Sequence, residues 1–265
     1  MSSHLQIAHA LTRIYNFFVK VGYITEDQMR WPPHSTEDLD LELCRDAGFS
    51  EEAISLLSQI PWATVSLQFQ PDCMLVDYSK AELMKASRHP DSTGSDHSAT
   101  NPLLQDTMVT IAIPMNQGAR SYILDARTGN LLIGWAVEMN DLEPNDAVEF
   151  LDDMYNKLTS LNLIPVGDEI FDGEDVDAGL QEGENSIYAK AKTALLEYGW
   201  PDTFRTEDFR RDIWDLREEW DNELGEEYAE QMMTEHMAGR LGNTHIGAEG
   251  PAEDPARSSE ERTEH

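Results

Sequence analysis

The chain has 265 residues and a formal net charge of −32 at pH 7. Such a charge repels nucleic acid phosphates and anionic membranes, so we expect a protein partner, and a basic one, rather than nucleic acid or membrane. Two cysteines cannot build a disulfide framework, and no apolar run reaches the about 18 residues of a membrane span. Without an apolar signal segment, the sequence predicts a cytoplasmic protein, with the nucleus as the alternative compartment.

The acidic residues are concentrated in the second half of the chain. Residues 1–135 carry 16 acidic and 9 basic side chains, whereas residues 136–265 carry 35 and 10. The mean hydropathy of −0.51 indicates long polar segments beside a globular part. An acidic face of this kind is either a solvated surface or a surface that attracts basic partners.

Residues 1–34 are predicted to form an N-terminal helix and a connector. Apolar residues recur at helical spacing from about Gln6 to Lys20. The connector contains Trp31-Pro32-Pro33, which favours extended backbone because residues before proline avoid the helical region. A short helix should then begin after Ser50, a plausible N-cap, and end before Pro61.

Residues 35–166 are predicted to form an α+β domain with a largely antiparallel sheet and flanking helices. Its strands are expected over Val65–Phe69, Met74–Tyr78 and Met108–Ile113, and in a hairpin within Ala119–Val137. Gly129 supplies the positive φ that the hairpin turn needs, and Trp135 is expected in the core. An amphipathic helix should follow from Pro144. Residues 87–105 have the composition of a disordered surface insertion.

The C-terminal part is predicted to extend this domain with helices. Residues 167–184 have the composition of an acidic linker. Residues 185–240 are predicted to form a helical extension, with a long helix from Thr206. Residues 241–265 have the composition of a disordered acidic tail.

The sequence predicts no metal site and no cofactor. Residues 168–177 resemble a calcium loop in their acidity, but Ile170 occupies the third position, where a ligand is needed, and Gly179 the twelfth. The chain contains no His-Glu-x-x-His, no Cys-x-x-Cys and no phosphate-binding glycine loop.

Candidate catalytic groups are few. Asp77 and Asp125 lie at the ends of predicted strands, where two carboxylates could act as a general acid and base. With 51 acidic residues in the chain, such a pair is expected by chance. Cys44 and Cys73 are expected to be inert core residues. The sequence therefore favours a protein that is not an enzyme.

Tryptophan and aspartate residues are the candidate binding residues. Indole rings offer large apolar surfaces with one polar group. The candidate partner contacts are Trp62, Asp77, Asp125, Trp200 and Trp214. Trp214 lies beside the main apolar stripe of its predicted helix, and we favour core packing for it over a role as a partner anchor.

The order of the elements resembles that of the SUKH superfamily. The resemblance is carried by GFSEEAISLLSQIPW, MLVDY, ILDARTGNLLIGW and VEFLDDMYNKL, with Asp125, Gly129 and Trp135 in the hairpin. It covers roughly residues 36–166, while Tyr198–Asp202 and the acidic extension resemble fungal members. That superfamily includes yeast regulators of cell-wall glucan synthesis and killer-toxin resistance, and bacterial immunity proteins.

This resemblance implies a binding scaffold that contacts other proteins and shares no catalytic residues. We therefore expect a non-enzymatic intracellular protein-binding or regulatory scaffold that acts through charge-steered contacts. One alternative is an acidic immunity-type inhibitor of a basic nuclease or toxin, in which the acidic C-terminal half imitates nucleic acid. The other is a small enzyme that uses Asp77 or Asp125.

Overall fold

A computed structural model describes residues 3–89, 104–115, 119–134, 142–173, 187–220 and 222–223. Its helices are α1 (Ser3–Lys20), α2 (Leu41–Asp46), α3 (Glu51–Leu57), α4 (Ala81–Ala86), α5 (Ala147–Thr159), α6 (Ile187–Glu197) and α7 (residues 206–220). Its strands are β1 (Met29–Arg30), β2 (Trp62–Ala63), β3 (Gln68–Gln70), β4 (Cys73–Leu75), β5 (Met108–Pro114), β6 (Ser121–Asp125), β7 (Asn130–Gly134), β8 (Asn145–Asp146), β9 (Leu163–Val166) and β10 (Glu169–Asp172). The predicted α+β class with a C-terminal helical extension is confirmed.

The main sheet has six antiparallel strands in the order β3-β4-β5-β6-β7-β8. Two smaller antiparallel pairs, β1 with β2 and β9 with β10, lie outside it. Each neighbouring pair in the main sheet is consecutive in the chain, so the sheet is a meander, and the connection between β4 and β5 contains α4.

The predicted hairpin forms β6 and β7. Asp125 pairs with Asn130 at the end of the ladder, and Gly129 turns the chain with a φ of +75°. The side chain of Asp125 closes the turn by accepting hydrogen bonds from the Arg127 amide and the Thr128 hydroxyl. Trp135 and the rest of the predicted hairpin to residue 137 lie outside the described residues.

Both faces of the central strands are buried. Ile123 and Leu132 belong to an apolar cluster on one face with Leu104 and Met108. Because side chains alternate along a strand, the neighbours Leu124 and Leu131 point to the other face, where each is fully buried. Helix α5 packs against β7 and also against α1, which shields the sheet from solvent.

Helix α1 supplies much of this cover because one of its faces is wholly apolar. Ile7, Leu11, Ile14 and Phe18 recur at helical spacing and are almost completely buried.

Asp146 caps the N-terminus of α5, with its carboxylate accepting from two backbone amides of the first turn. The helix therefore begins at Ala147, three residues after the predicted start at Pro144.

The structure moves two predicted boundaries. Ser87 and Arg88 are buried, and Leu104 belongs to the core, so the ends of the predicted insertion at 87–105 are part of the domain. Residues 90–103 lie outside the described residues. The predicted acidic linker at 167–184 begins with a hairpin, because Ile170 of β10 is buried and β10 pairs with β9.

The helical extension packs on the domain. The ring of Trp200, after α6, contacts Phe17 of α1 edge to face at a centroid distance of 5.3 Å. The Arg210 guanidinium on α7 donates to the backbone carbonyl of Val19 at 2.9 Å. These contacts cover the C-terminal end of α1. The rest of the predicted extension, residues 224–240, and the predicted tail at 241–265 lie outside the described residues.

Candidate functional site

Trp62 is a core residue. Its side chain is 2% exposed, and its ring stacks on His34 at a centroid distance of 3.8 Å and meets Tyr78 edge to face. The His34 Nε2 atom lies 2.8 Å from the carbonyl of Ile60, which fixes the imidazole on the indole. Burial lowers the pKa of His34 below its usual value, so the neutral ring is favoured in the folded protein. The Trp62 ring is therefore enclosed and offers no surface to a partner.

Trp200 is also buried, at the junction between α5, α1 and the helical extension. Its indole nitrogen donates a hydrogen bond to the carbonyl of Thr159 at 3.0 Å. The Lys20 ammonium lies 4.4 Å from the ring centroid. These contacts assign Trp200 to the docking of the extension.

Asp77 and Asp125 each accept hydrogen bonds from residues two or three positions further along the chain. Asp77 is 3% exposed and accepts from the Ser79 amide and hydroxyl, with the Lys80 ammonium 3.2 Å away. Asp125 serves the hairpin turn. Strand β5 lies between the two, and no hydrogen bond or ion pair joins their described side chains. The structure does not bring the predicted carboxylate pair together.

Neither thiol has the surroundings of a nucleophile. Cys44 and Cys73 are buried, and burial raises the pKa of each thiol to about 11. At neutral pH both therefore remain protonated, and a protonated thiol is a poor nucleophile. Both are core residues, as predicted, and their low reactivity stays a prediction.

Trp214 is exposed, so the favoured prediction of core packing is wrong. Its side chain is 57% exposed, whereas Phe209, Ile213 and Trp220 on the same helix are buried. The apolar stripe of α7 that contains these three buried residues faces the domain, and Trp214 lies just outside that stripe. Among the five candidate binding residues, Trp214 is the one whose ring is accessible.

An open acidic groove with a volume of about 680 Å³ lies along α5, and Gln6 of α1 borders it. Four carboxylates line it, with Gln6 and Asn156 beside them: Asp146, Glu149, Asp152 and Asp153. We call this feature the acidic groove. Asp146, Glu149 and Asp153 follow one another at spacings of three and four, and Asp152 directly precedes Asp153, so the four side chains lie along one side of α5 and its N-cap.

The four carboxylates of the acidic groove differ in their partners. Asp146 is bound to the first turn of α5, and Asp152 forms an ion pair with Arg13, whose guanidinium lies over Tyr155. Glu149 and Asp153 are exposed, and no described residue forms an ion pair with either. Two carboxylates one helical turn apart are thus available to a cation that enters the groove.

Sequence reasoning missed this groove, although a signal was present. The acidic residues of α5 lie opposite its apolar stripe, and an exposed polar face is common on amphipathic helices. What distinguishes the face is that α1 packs beside α5 and brings Gln6 to the edge of the groove. That proximity depends on the packing of α1 against α5 and not on any local pattern.

The described residues contain no group of three or more His, Cys, Asp or Glu side chains arranged to hold a metal ion. Equally, no helix in the described part of the chain combines the length and the apolar character needed to cross a membrane.

No protein-family model matches the chain, and no match is found among curated proteins or among solved structures. The resemblance to the SUKH superfamily stays a prediction.

Proposed function

We propose that this protein is a non-enzymatic binding scaffold of SUKH-like type, which recruits a basic protein in the cytoplasm or nucleus through its acidic groove. One observation carries the proposal: Glu149 and Asp153 stand exposed in a groove of about 680 Å³, with no described cation paired to them. A partner that places a lysine or arginine there gains an ion pair and fills a concave surface.

The charge of the whole chain supports the same proposal. A net charge of −32 produces a negative field that accelerates encounters with basic proteins and repels acidic ones. Steering of this kind depends on ionic strength, because salt screens exposed charges beyond a Debye length of about 8 Å at physiological ionic strength. The complex should therefore weaken as salt is added.

The non-enzymatic character is supported by the state of the candidate catalytic groups. Asp77 and Asp125 are held in separate local hydrogen-bond sets, and the two thiols have pKa values of about 11. A general acid and base must reach one substrate together, which these carboxylates do not do.

Affinity capture from a native extract, with charge-reversed variants, tests the proposal. The groove variant carries Glu149→Lys and Asp153→Lys. Its matched control carries Glu42→Lys and Asp46→Lys on α2. Both residues are exposed and lie four positions apart, as Glu149 and Asp153 do. Glu42, like Glu149, lies in the first turn of its helix. Both variants change the net charge equally.

The wild-type protein and the α2 control should capture the same basic proteins at low salt, and the groove variant should lose them. Captured proteins are identified by mass spectrometry, and their release should follow rising ionic strength. Equal loss in both variants would mean that only total charge matters, and equal retention would mean that the groove is not used. Either result contradicts the proposal.

A further inference from the structure

A second surface surrounds Trp214, and none of its residues lines the acidic groove. The ring lies against the turn between β9 and β10: a methyl group placed at Gly167 would be 3.8 Å from Cζ3 of Trp214. Gly167 itself is buried and has a φ of +66°, a conformation that favours glycine. The turn therefore lies against one edge of the indole, beside the side chain of Arg217, whose Cγ would be 3.6 Å from the same methyl group.

Three exposed carboxylates accompany this ring. Asp168 follows Gly167 in the turn, Asp215 follows Trp214, and Glu218 lies one helical turn further along α7 on the same side as Trp214. In the described part of the chain, none of the three forms an ion pair. An accessible indole ring thus has three exposed carboxylates near it in the chain or in the adjoining turn, and none of these carboxylates forms an ion pair with a described residue.

The arginines of this region are engaged with other groups. Arg217 binds Glu169 at 2.7 Å, and its guanidinium lies 5.2 Å from the centroid of Phe171. Arg211 pairs with Asp208 and Asp212 on the outer side of α7. The contact of Arg217 with Phe171 also shows the chemistry that suits this surface, which is a guanidinium stacked on an aromatic ring beside a carboxylate.

We propose that Trp214, with Asp168, Asp215 and Glu218, binds an arginine side chain of the basic partner, with its guanidinium on the exposed face of the indole. An aromatic face attracts a cation, and Trp does so most strongly. Arginine fits better than lysine because its guanidinium is planar, weakly hydrated and able to share two hydrogen bonds with one carboxylate. This inference rests on the proposed function for its partner but uses a different surface.

A capped peptide of alternating glycine and arginine serves as the probe, and binding is followed by tryptophan fluorescence and calorimetry. Replacement Trp214→Leu keeps an apolar side chain without a π face. A cation–π contact at an exposed site corresponds to a roughly two- to fivefold change in affinity, so Trp214→Leu should weaken binding by that factor. Trp214→Phe, which keeps an aromatic face, should retain part of the affinity.

Matched controls separate this surface from the general acidity of the chain. Glu218→Gln and Glu42→Gln each remove one exposed carboxylate and leave the same net charge. Glu218→Gln should weaken peptide binding, and Glu42→Gln, on α2, should not. Leu41→Ala, which removes an exposed apolar side chain from α2, should also leave binding unchanged. A peptide of glycine and lysine with the same charge should bind more weakly than the arginine peptide.

Unchanged affinity in Trp214→Leu would overturn the proposal, as would equal losses in Glu218→Gln and Glu42→Gln or equal binding of the two peptides. Failure here is distinct from failure of the proposed function. When Trp214→Leu is added to the groove variant Glu149→Lys with Asp153→Lys, peptide binding should weaken by the same factor as in the wild-type background, because the two surfaces are separate. If the groove variant lost partner capture but Trp214→Leu did not change peptide binding, the proposed function would be supported and the role of Trp214 would be refuted.

Discussion

The indole nitrogen of Trp200 donates a hydrogen bond to the backbone carbonyl of Thr159 at 3.0 Å, which joins the C-terminal extension to the last residue of α5. The final carbonyls of a helix lack partners within the helix, so this bond satisfies a group that would otherwise need water. The Trp200 ring also packs on Phe17 and below the Lys20 ammonium. The extension is thereby part of the folded domain.

Replacement of Trp200 by alanine should lower the free energy of unfolding by about 3–5 kcal/mol, because it leaves a large cavity between α1 and α5. Trp200→Phe should cost about 1–2 kcal/mol, since the ring remains but the carbonyl of Thr159 loses its donor. Denaturant unfolding followed by circular dichroism measures both. Trp214→Phe is the control, and its exposed ring predicts a change within about 0.5 kcal/mol. Equal effects at the two positions would contradict the assignment of Trp200 to the core.

Arg88 should be among the most sensitive positions of the domain. Its buried guanidinium donates to the carbonyls of Gln105 and Met108 at 3.1 and 2.9 Å and lies 4.6 Å from the centroid of Phe49. Arg88→Met should lower the free energy of unfolding by about 3 kcal/mol or more, because buried carbonyls lose their donors. Arg88→Lys should not restore it, since one ammonium cannot replace the forked guanidinium.

Thermal unfolding of the Arg88 variants provides the measurement. Arg45→Met is the matched control, because Arg45 forms an exposed ion pair with Glu51 and its removal should change the midpoint far less. A midpoint shift for Arg88→Met no larger than that for Arg45→Met would show that the buried guanidinium is not needed for the fold.

His34 should make stability depend on pH. Burial lowers the pKa of its imidazole in the folded protein, so the unfolded chain binds the proton more readily. The contribution of the neutral ring is therefore complete above the unfolded pKa of about 6.5 and is lost progressively as the pH falls below it. The hydrogen bond with the carbonyl of Ile60 and the charge of Asp38 oppose this lowering of the pKa without reversing its direction.

Urea unfolding at about pH 7.5 and about pH 5.5 tests the sign of this effect. The wild-type protein should lose more stability between these values than the His34→Gln variant. His9→Gln, which replaces an exposed histidine of α1, should behave as the wild type does. A wild-type protein that loses no more stability than His34→Gln between the two pH values would contradict the enclosed neutral ring.

The two thiols should react slowly in the folded protein. Cys44 and Cys73 are almost completely buried, and their pKa values of about 11 leave little thiolate at neutral pH. Iodoacetamide should label neither thiol appreciably under native conditions and should label both in denaturant. Mass spectrometry measures the number of labelled cysteines in each chain. Rapid native labelling of either thiol would show that the chain around it opens readily.

Local patterns predict the elements whose signals lie within them. The stripe of α1 and the turn at Gly129 are examples, because helical spacing and a positive φ are properties of short segments. Arg88 could not be predicted in this way. It lies in a stretch rich in serine, histidine and aspartate, and its burial depends on carbonyls from Gln105 and Met108, far along the chain.

The candidate surfaces were harder to predict than the fold. The position of Trp214 beside its apolar stripe indicates either core or surface, and only the docking of α7 on the domain decides between them. Strand β10 was not predicted because it lies in an acidic segment and Ile170 is its only buried residue. The acidic groove needs α1 and α5 together, so neither helix predicts it separately.

Association kinetics with a captured basic partner test the central claim most directly. Stopped-flow rate constants should be measured over a range of salt for the wild-type protein, for Glu149→Lys with Asp153→Lys, and for Glu42→Lys with Asp46→Lys. We predict a rate that falls steeply with salt, and a groove variant that associates more slowly than the α2 variant at every ionic strength. Equal rates for the two variants, or a wild-type rate that does not change with salt, would contradict recognition through the acidic groove.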